Sequence, residues 1–331
     1  MMVISKTPYR LSLFGGGTDY PAWFHTNPSK IISAAMQQYC YITVRDVPPF
    51  FDYNTIITYS EIEKVNSLND IKHPSARECL RYMGVQEGVS VVYEGDLPAR
   101  TGIGSSSSFT VGLLNALHAY KNTNITKFDL ASEAIYVEQQ ILKENVGVQD
   151  QIMASYGGIR LIDVGPNDRW RAAKMYLSSN YMKEFESHIM LGFSGVSRYA
   201  EEQSKVQVNN IKEGKSEMEL RAMVALADDA IDSIGREDEM HVLGNLLNLG
   251  WSIKRSLADG ISKDWIDKIY QQSLECGSLG GKLMGAGGGG FFMFLVPPKQ
   301  QEEFKKKMNS IKVWVPFKFD THGSQIIHES N

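Results

Sequence analysis

A glycine- and serine-rich segment limits what this 331-residue chain can fold into more than any other feature. The run Val89 to Tyr93 has the composition of a strand, and residues 110–120 carry apolar side chains at helical spacing. Between them, Asp96 to Phe109 contains Gly102, Gly104 and four consecutive serines. The pattern predicts a loop leading directly into a helix N-terminus, where unpaired N–H groups and the helix dipole favour an anion.

The same segment allows a simpler interpretation, because serine is a preferred N-cap residue. Ser105 alone would be read as a helix cap. Two glycines and four serines after Leu97-Pro98 favour a phosphate-binding loop instead, since glycine lets a ligand approach the backbone without a Cβ clash. The serine hydroxyl groups would then serve as hydrogen-bond donors and Mg²⁺ ligands.

Composition indicates a soluble globular protein and excludes several classes of function. The net charge is −4 and no basic tract is present, so we expect neither nucleic-acid nor membrane-surface binding. Three widely spaced cysteines without a CxxC pair indicate reduced thiols in the cytoplasm. The N-terminus lacks the apolar length of a signal peptide, and no run approaches the ~20 apolar residues of a membrane span.

A second glycine run, Gly15 to Gly17, breaks the alternating pattern that ends at Phe14 and is followed by Thr18-Asp19. Three successive glycines allow backbone shapes that other residues resist. A flexible turn and a hydrogen-bonding site for a polyol are equally good interpretations of these residues taken alone.

Two carboxylates near the middle of the chain need an explanation. Glu138 falls on the apolar face of a helix predicted to begin after Thr126, where a carboxylate is costly to bury unless it is paired. It either reaches solvent at the edge of that face or faces a cation. Asp150 would by itself be read as a helix N-cap.

The second half of the chain is richer in helices, and we predict a domain boundary near residue 175. One helix is expected to bury a stripe formed by Val242, Leu246, Leu249 and Ile253. A third glycine run, Gly277 to Gly290, precedes a strong strand at Phe291 to Val296, and a final strand is predicted at Lys312 to Phe319. Such alternation favours an α+β layer, and the glycines favour close approach to another segment or to a phosphate.

Three segments, 8–21, 96–109 and 282–294, together resemble the three motifs of the GHMP small-molecule kinases, which include galactokinase, homoserine kinase and mevalonate kinase. The middle segment matches the family pattern Pro-x3-Gly-(Leu/Ile)-Gly-Ser-Ser throughout, from Pro98 to Ser106. The first segment is similar to the sugar-phosphate branch of D-glycero-D-manno-heptose 7-phosphate kinases and their fucokinase-like relatives. It carries Gly16-Gly17 where galactokinases carry Glu-His, which argues against galactose.

This resemblance implies a two-domain α+β fold with the active site between the domains. Residues 1–175 would form an N-terminal α/β domain with a mixed sheet, and residues 176–331 a C-terminal ferredoxin-like α+β domain. The implied reaction is ATP- and Mg²⁺-dependent phosphorylation of the anomeric hydroxyl of D-glycero-D-manno-heptose 7-phosphate. The product, heptose 1,7-bisphosphate, would supply nucleotide-activated heptose for surface polysaccharide. A fucokinase-like or other kinase of the family and a non-catalytic sugar- and ATP-binding sensor are the alternatives.

The resemblance also assigns roles to individual residues. Asp150 would take the proton of the acceptor hydroxyl, and Arg10 would stabilise charge beside it. The residues implied to bind the nucleotide are Pro98, Arg100, Thr101, Gly102, Ile103, Gly104, Ser105, Ser106 and Ser107. Glu138 and Ser106 would hold Mg²⁺, with Ser105 and Ser107 left open because four serines make the register ambiguous. The residues implied to bind the substrate are Gly16, Gly17, Thr18, Asp19 and Gly287.

A substrate that already carries a phosphate needs additional cations. The candidates are Arg198, Lys174, Arg169 and Arg171, and we favour Arg198 because the preceding Ser-Gly-Val-Ser offers several donors. The expected partners are therefore a sugar phosphate and ATP. The oligomeric state cannot be read from the sequence, and a homodimer is one state left open.

Overall fold

Two β-sheets organise the part of the chain that the computed structural model describes, which is residues 1–85, 88–196 and 200–330. Within these ranges the larger sheet contains eight strands and the smaller contains four. The larger sheet is formed by β1 (Met2–Phe14), β2 (Ser29–Asp46), β3 (Thr55–Thr58), β4 (Ile62–Val65), β5 (Val89–Gly95), β6 (Ile159–Gly165), β7 (Arg169–Lys174) and β12 (Gln325–Ser330). The smaller sheet is formed by β8 (Ile189–Phe193), β9 (Gly280–Leu283), β10 (Phe291–Leu295) and β11 (Val313–Val315).

Helices flank both sheets. Those of the first half are α1 (Pro21–Phe24), α2 (Pro74–Tyr82), α3 (Ser105–Tyr120), α4 (Lys127–Tyr136) and α5 (Gln149–Tyr156). Those of the second half are α6 (Ser179–His188), α7 (Ala200–Lys212), α8 (Glu217–Gly235), α9 (Met240–Lys254), α10 (Asp264–Glu275) and α11 (Gln301–Lys307). Helix α3 packs against β1 and β2, and α9 packs against β9. Across the described ranges, none of these helices is both long enough and apolar enough to span a membrane.

The larger sheet is mixed, because β3 pairs with β5 in parallel and its other pairings are antiparallel. Its strand order is β12-β1-β2-β5-β3-β4, with β6 joined to β2 and β7 joined to β6. The smaller sheet is antiparallel throughout, in the order β11-β8-β10-β9. The predicted α+β class with a mixed first sheet is confirmed.

The chain passes from the larger to the smaller sheet between Lys174 and Ile189 and later returns. The strand predicted at 312–319 is wrong in extent, since only Val313–Val315 forms a strand there, paired with β8, and Phe319 makes an isolated bridge to Met36 in β2. The last strand, β12, instead pairs with β1 in the larger sheet. The domain boundary near residue 175 stays a prediction, and β12 belongs to the sheet of the first half.

Strand β1 is buried on both faces from Thr7 to Phe14. Helices α3 and α5 from the first half and α8 and α9 from the second half all pack against it. Its register with β2 shifts after Pro8, a residue that has no N–H to offer a neighbouring strand. The alternating polar residues Arg10 and Ser12 therefore lie inside the molecule, where they can serve a site.

Helix α4 begins as predicted, with the Thr126 hydroxyl accepting the Asp129 amide at 3.1 Å. Its continuation, Val137–Ile141, winds as a π-helical turn. Single π-turns inside helices widen the backbone by one residue and recur at functional sites. This turn places Glu138 fully inside the protein.

The buried face of α9 differs from the predicted stripe. Leu249 is 52% exposed, and Val242, Leu246 and Ile253 are only partly buried. The large side chains buried on this helix are Met240, Leu243, Leu247, Trp251 and Lys254. Lys254 is thus the last residue of the buried stripe. The prediction from apolar spacing is wrong here because it places the buried stripe on the neighbouring face of the helix.

Candidate active site

A paired arginine and aspartate form the centre of the candidate site. Arg10 comes from the buried part of β1, and Asp150 is the second residue of α5. The Arg10 Nε and Nη2 atoms donate to the two Asp150 carboxylate oxygens at 2.6 and 2.7 Å. Such a bidentate pair fixes the plane of the carboxylate as well as its position. The remaining Nη1 donates to the Gly102 carbonyl at 2.6 Å, which joins the pair to the nucleotide-binding loop predicted from the sequence.

The loop before α3 is shaped by residues with positive φ, including Arg100, Gly102 and Gly104. A Cβ at Gly104 would lie 3.1 Å from Asp150 Oδ2 and 3.3 Å from Arg10 Cγ, so the loop passes directly against the pair. The Ile103 carbonyl accepts the Arg10 amide at 3.1 Å. Glycine is favoured at position 104 because a side chain would strain the backbone and crowd both charged groups.

The first three of the four serines at the start of α3 have three different surroundings. Ser105 is buried, and its hydroxyl accepts the Arg100 amide at 3.2 Å, so it braces the loop. Ser107 donates to Glu138 Oε2 at 2.9 Å. Ser106 is exposed at the open end of the helix. The cap position belongs to Gly104, which leaves the first turn of α3 suited to an anion.

Glu138 combines complete burial with a carboxylate oxygen that lacks a hydrogen-bond partner among the described residues. It is completely buried, and both Ser107 and Gln151 donate to the same oxygen, Oε2. The other oxygen, Oε1, has no hydrogen-bond partner among the described residues, since the nearby Thr110 hydroxyl donates to the Ser106 carbonyl at 3.3 Å. Burial, and secondarily Glu144, raises the pKa of Glu138 to about 8. A buried oxygen with no donor and no countercharge is the setting that a hard cation such as Mg²⁺ would satisfy.

The described residues contain no cluster of three or more histidine, cysteine, aspartate or glutamate side chains that could hold a metal by themselves. Mg²⁺ commonly takes one or two protein oxygens and completes its shell with phosphates and water. Glu138 and the exposed hydroxyl of Ser106 are the groups that fit this role.

The first glycine segment closes on the helix that carries Asp150. The buried Asp19 carboxylate accepts the amides of Gly17 at 3.1 Å and Gln149 at 3.3 Å. Burial, and then the charge of Asp150, raises the pKa of Asp19. Thr18 donates its hydroxyl to the Gly15 carbonyl at 2.7 Å. Asp19 and Asp150 are therefore brought to neighbouring positions by two segments far apart in the sequence.

The third glycine segment packs against the nucleotide-binding loop. A Cβ at Gly285 would lie 2.3 Å from Gly102 Cα, and a Cβ at Gly290 would lie 2.3 Å from the Thr101 carbonyl oxygen. The Phe291 amide donates to that same carbonyl at 3.2 Å, and the Thr101 hydroxyl donates to the Pro98 carbonyl at 2.7 Å. The glycines are required here because two backbones touch without room for side chains.

Two other predicted substrate residues also make close backbone or side-chain contacts. A Cβ at Gly287 would lie 2.6 Å from Ile261 Cα, so this glycine packs on the segment after α9. A Cβ at Gly16 would lie 2.5 Å from the Ser12 hydroxyl oxygen. Gly287 therefore needs glycine for reasons of packing, since its φ is positive and the contact is with backbone, whereas a side chain at position 16 would require the Ser12 hydroxyl to move.

Three of the four cations proposed for a second phosphate, Arg169, Arg171 and Lys174, lie in the described residues and have surroundings other than the Arg10–Asp150 pair. Arg198 lies outside the described residues. Arg171 is exposed and pairs with Asp163 at 3.0 Å, and Lys174 lies over the Tyr176 ring. Arg169 lines a separate cavity of about 540 Å³ beside Phe128 and Trp170.

Sequence reasoning missed four residues that contribute to the centre: Gly147, Gln151, Lys254 and Lys282. A Cβ at Gly147 would lie 1.8 Å from Asp19 Oδ2, so only glycine permits that contact. Gln151 holds Glu138, and its position next to Asp150 was the available signal. Both lysines are buried, and Lys282 donates to the Leu13 carbonyl at 3.1 Å. The sequence pattern held no comparable signal for Lys254, because the apolar stripe predicted for α9 lies on the neighbouring face.

Two family descriptions match this chain. Residues 70–158 match "GHMP kinases N terminal domain" and residues 231–312 match "GHMP kinases C terminal". Together the two matches cover just over half of the chain, and they include the nucleotide-binding loop, Glu138, Asp150 and the third glycine segment.

Several characterised proteins are similar over long stretches. A D-glycero-alpha-D-manno-heptose 7-phosphate kinase of Campylobacter jejuni is 28% identical over 297 residues, which cover 86% of each chain. A galactokinase of Pyrococcus furiosus is 29% identical over 164 residues, covering 46% of this chain and 43% of the relative.

The crystal structure of a D-glycero-D-manno-heptose 1-phosphate kinase from Bacteroides thetaiotaomicron superposes with a TM-score of 0.81 at 20% identity, over 99% of this chain and all of that one. That likeness concerns the fold, whereas the two domain matches and the kinase relatives concern the family and its chemistry. GHMP kinases use ATP, generally with Mg²⁺. The chain belongs to the GHMP kinase family and is a phosphotransferase with an alcohol group as acceptor.

Proposed function

We propose that this kinase transfers the γ-phosphoryl group of ATP to the anomeric hydroxyl of D-glycero-D-manno-heptose 7-phosphate. The product would be heptose 1,7-bisphosphate, used to make nucleotide-activated heptose for surface polysaccharide. Similarity to the heptose 7-phosphate kinase over 86% of both chains supports the choice of acceptor. The observation that carries the chemistry is the bidentate Arg10–Asp150 pair lying against Gly104 at the start of α3.

In the proposed reaction Asp150 accepts the proton of the acceptor hydroxyl. The freed oxygen attacks the γ-phosphorus, the bond from phosphorus to the β,γ-bridging oxygen breaks, and ADP leaves. An anomeric hydroxyl is more acidic than an ordinary alcohol, so a carboxylate is an adequate base. Arg10 holds both Asp150 oxygens and keeps the carboxylate pointed at one place, which is the positioning that phosphoryl transfer mainly requires.

The donor half would be the loop from Pro98 to Gly104 and the first turn of α3. Backbone N–H groups there would bind the nucleotide phosphates. Glu138 and Ser106 would hold Mg²⁺, with Ser107 and Gln151 orienting Glu138. The ion, when bound, neutralises charge on the phosphate oxygens.

The acceptor half would be the first glycine segment with Gly287. Thr18 and Asp19 would hydrogen-bond sugar hydroxyls, and Gly16 and Gly17 would let the sugar approach the backbone. Arg198 remains the cation that we propose for the 7-phosphate.

A second acceptor is suggested by the name of the Bacteroides structure, which describes a heptose 1-phosphate kinase. Phosphorylation of heptose 1-phosphate at O7 would also yield heptose 1,7-bisphosphate. The two acceptors therefore differ in which hydroxyl meets Asp150, and the product alone does not distinguish them.

The test is an ADP-release assay with purified protein, ATP and Mg²⁺ over a panel of acceptors. The panel contains heptose 7-phosphate, heptose 1-phosphate, fucose, galactose and mevalonate. We expect the highest kcat/KM with heptose 7-phosphate, and phosphorus NMR should show a new anomeric phosphate. Turnover of a free hexose with none of heptose 7-phosphate would contradict the proposal, and Asp150→Asn serves as the control for contaminating kinases.

A further inference from the structure

Lys254, the last residue of α9, is a buried cation that the reaction as described so far does not use. Its side chain is 5% exposed. The ammonium group donates to the Gly285 carbonyl at 2.5 Å and to the Leu283 carbonyl at 3.4 Å. An ammonium group has three N–H donors and no acceptor, so two carbonyls use two of them. Lys254 is therefore anchored to the start of the third glycine segment.

Burying the Lys254 ammonium group is energetically unfavourable, so we expect the group to have a role that offsets this penalty. Burial, and secondarily the charge of Arg10, lowers the pKa of Lys254 to about 8, while Asp19 and Asp150 act in the opposite direction. Those three charged groups are the centre of the candidate site. An apolar side chain of similar length would fill the same space on α9 without the desolvation penalty.

The turn that Lys254 holds is the one that touches the nucleotide-binding loop. Gly285 packs on Gly102 so closely that a Cβ on it would lie 2.3 Å from Gly102 Cα. Gly102 in turn offers its carbonyl to Arg10, and Arg10 holds Asp150. A continuous set of contacts thus runs from the end of α9 to the proposed base.

The second buried lysine makes a different connection. Lys282 donates to the carbonyl of Leu13, at the end of β1 and just before the first glycine segment. Lys282 thus donates to the segment before the first glycine run, whereas Lys254 donates to the Gly285 turn, so the two lysines support different loops. Of the two lysines, Lys254 is therefore the one that supports the nucleotide-binding loop, through the Gly285 turn.

We propose that Lys254 is a positioning residue for phosphoryl transfer, which holds the Gly285 turn against Gly102 and so fixes the nucleotide-binding loop over the Arg10–Asp150 pair. This inference rests on the kinase activity but not on the identity of the acceptor. Lys254 acts through the loop, so its loss should weaken nucleotide binding before it affects the acceptor.

The experiment compares Lys254→Met with wild type and with Trp251→Phe, a change one turn earlier on the same buried face of α9. Calorimetric titration with a non-hydrolysable ATP analogue and Mg²⁺, without acceptor, gives the nucleotide affinity. Thermal unfolding gives Tm. We expect Lys254→Met to weaken the nucleotide affinity about tenfold or more, since small displacements of a binding loop are costly. Its Tm should stay near or above that of wild type, because an apolar residue replaces a buried charge.

Trp251→Phe should lower Tm and leave the nucleotide affinity within about twofold, since it changes packing only. A nucleotide affinity of Lys254→Met within about twofold of wild type would overturn the proposal. If Lys254→Met does not fold, Lys254→Leu also removes the N–H donors, and an unchanged affinity in that variant has the same meaning. Failure of the proposed acceptor would appear separately, as nucleotide binding that depends on Lys254 without turnover of either heptose phosphate.

Discussion

The two carboxylates of the candidate site, Glu138 and Asp150, are held in opposite ways. Both Asp150 oxygens are bound by one guanidinium, and the side chain is 26% exposed toward the open centre. Glu138 is completely enclosed, has neutral donors on Oε2 only, and leaves Oε1 without a partner among the described residues. The first carboxylate already has its cation, and for the second we propose Mg²⁺.

The two surroundings suit the two different roles that we propose for these carboxylates. A carboxylate whose charge is compensated and whose plane is fixed can accept a proton from a substrate in a defined direction. A buried carboxylate without a countercharge is unfavourable until a cation arrives, so its energy is coupled to that cation's binding. Each prediction below tests one side of this contrast, beginning with the largest expected effect.

Replacing Asp150 by Asn should lower kcat by about 10³-fold, because the amide keeps the shape but cannot take the hydroxyl proton. Calorimetry should find ATP-analogue binding close to that of wild type. Activity within a few-fold of wild type would mean that positioning alone drives transfer and that Asp150 is not the base.

Replacing Glu138 by Gln should lower kcat/KM about 10²-fold and raise the Mg²⁺ concentration needed for half-maximal rate. The free energy of unfolding should stay equal or rise, because the variant no longer buries a group that can carry an uncompensated charge. Kinetics over a Mg²⁺ series and chemical denaturation measure the two effects. An unchanged Mg²⁺ requirement would remove Glu138 from the metal site.

The adjacent serines provide the matched pair with the smallest expected effects. Ser106→Ala should lower kcat/KM about 30-fold by removing a proposed metal ligand, and Ser107→Ala about tenfold by releasing Glu138 Oε2. The Mg²⁺ series should show the larger shift for Ser106→Ala. The reverse order would identify Ser107 as the Mg²⁺ ligand and Ser106 as an exposed residue that does not bind the metal.

Local pattern was sufficient for some elements of the site. The strand, glycine-serine loop and helix from Val89 to Tyr120 follow from composition and spacing over short distances, and so does the Thr126 cap of α4. Spacing could not separate Ser105, Ser106 and Ser107, because residues within one helical turn point in different directions and only packing decides which is buried.

Local sequence pattern did not predict two other features of the site, the π-helical turn at Glu138 and the buried face of α9. The sequence indicates that a carboxylate at position 138 is unfavourable on an apolar helix face. It does not predict the π-helical turn that encloses Glu138, because that turn departs from the 3.6-residue period of an α-helix. The buried face of α9 was misplaced because the stripe through Leu249 is as apolar as the true one, which ends in Lys254. Because Lys254 is charged, the spacing of apolar residues cannot reveal that it lies on the buried face of α9.

The sequence by itself determined the family, the α+β class and the three glycine-bearing segments, since these depend on residue types at short, fixed spacings. The tertiary structure alone decided which segments meet. Arg10 and Asp150 are 140 positions apart, and Gly285 reaches Gly102 from the other half of the chain. Such contacts arise when β1 is enclosed by helices from both halves, and this packing is a property of the whole chain that no local pattern contains.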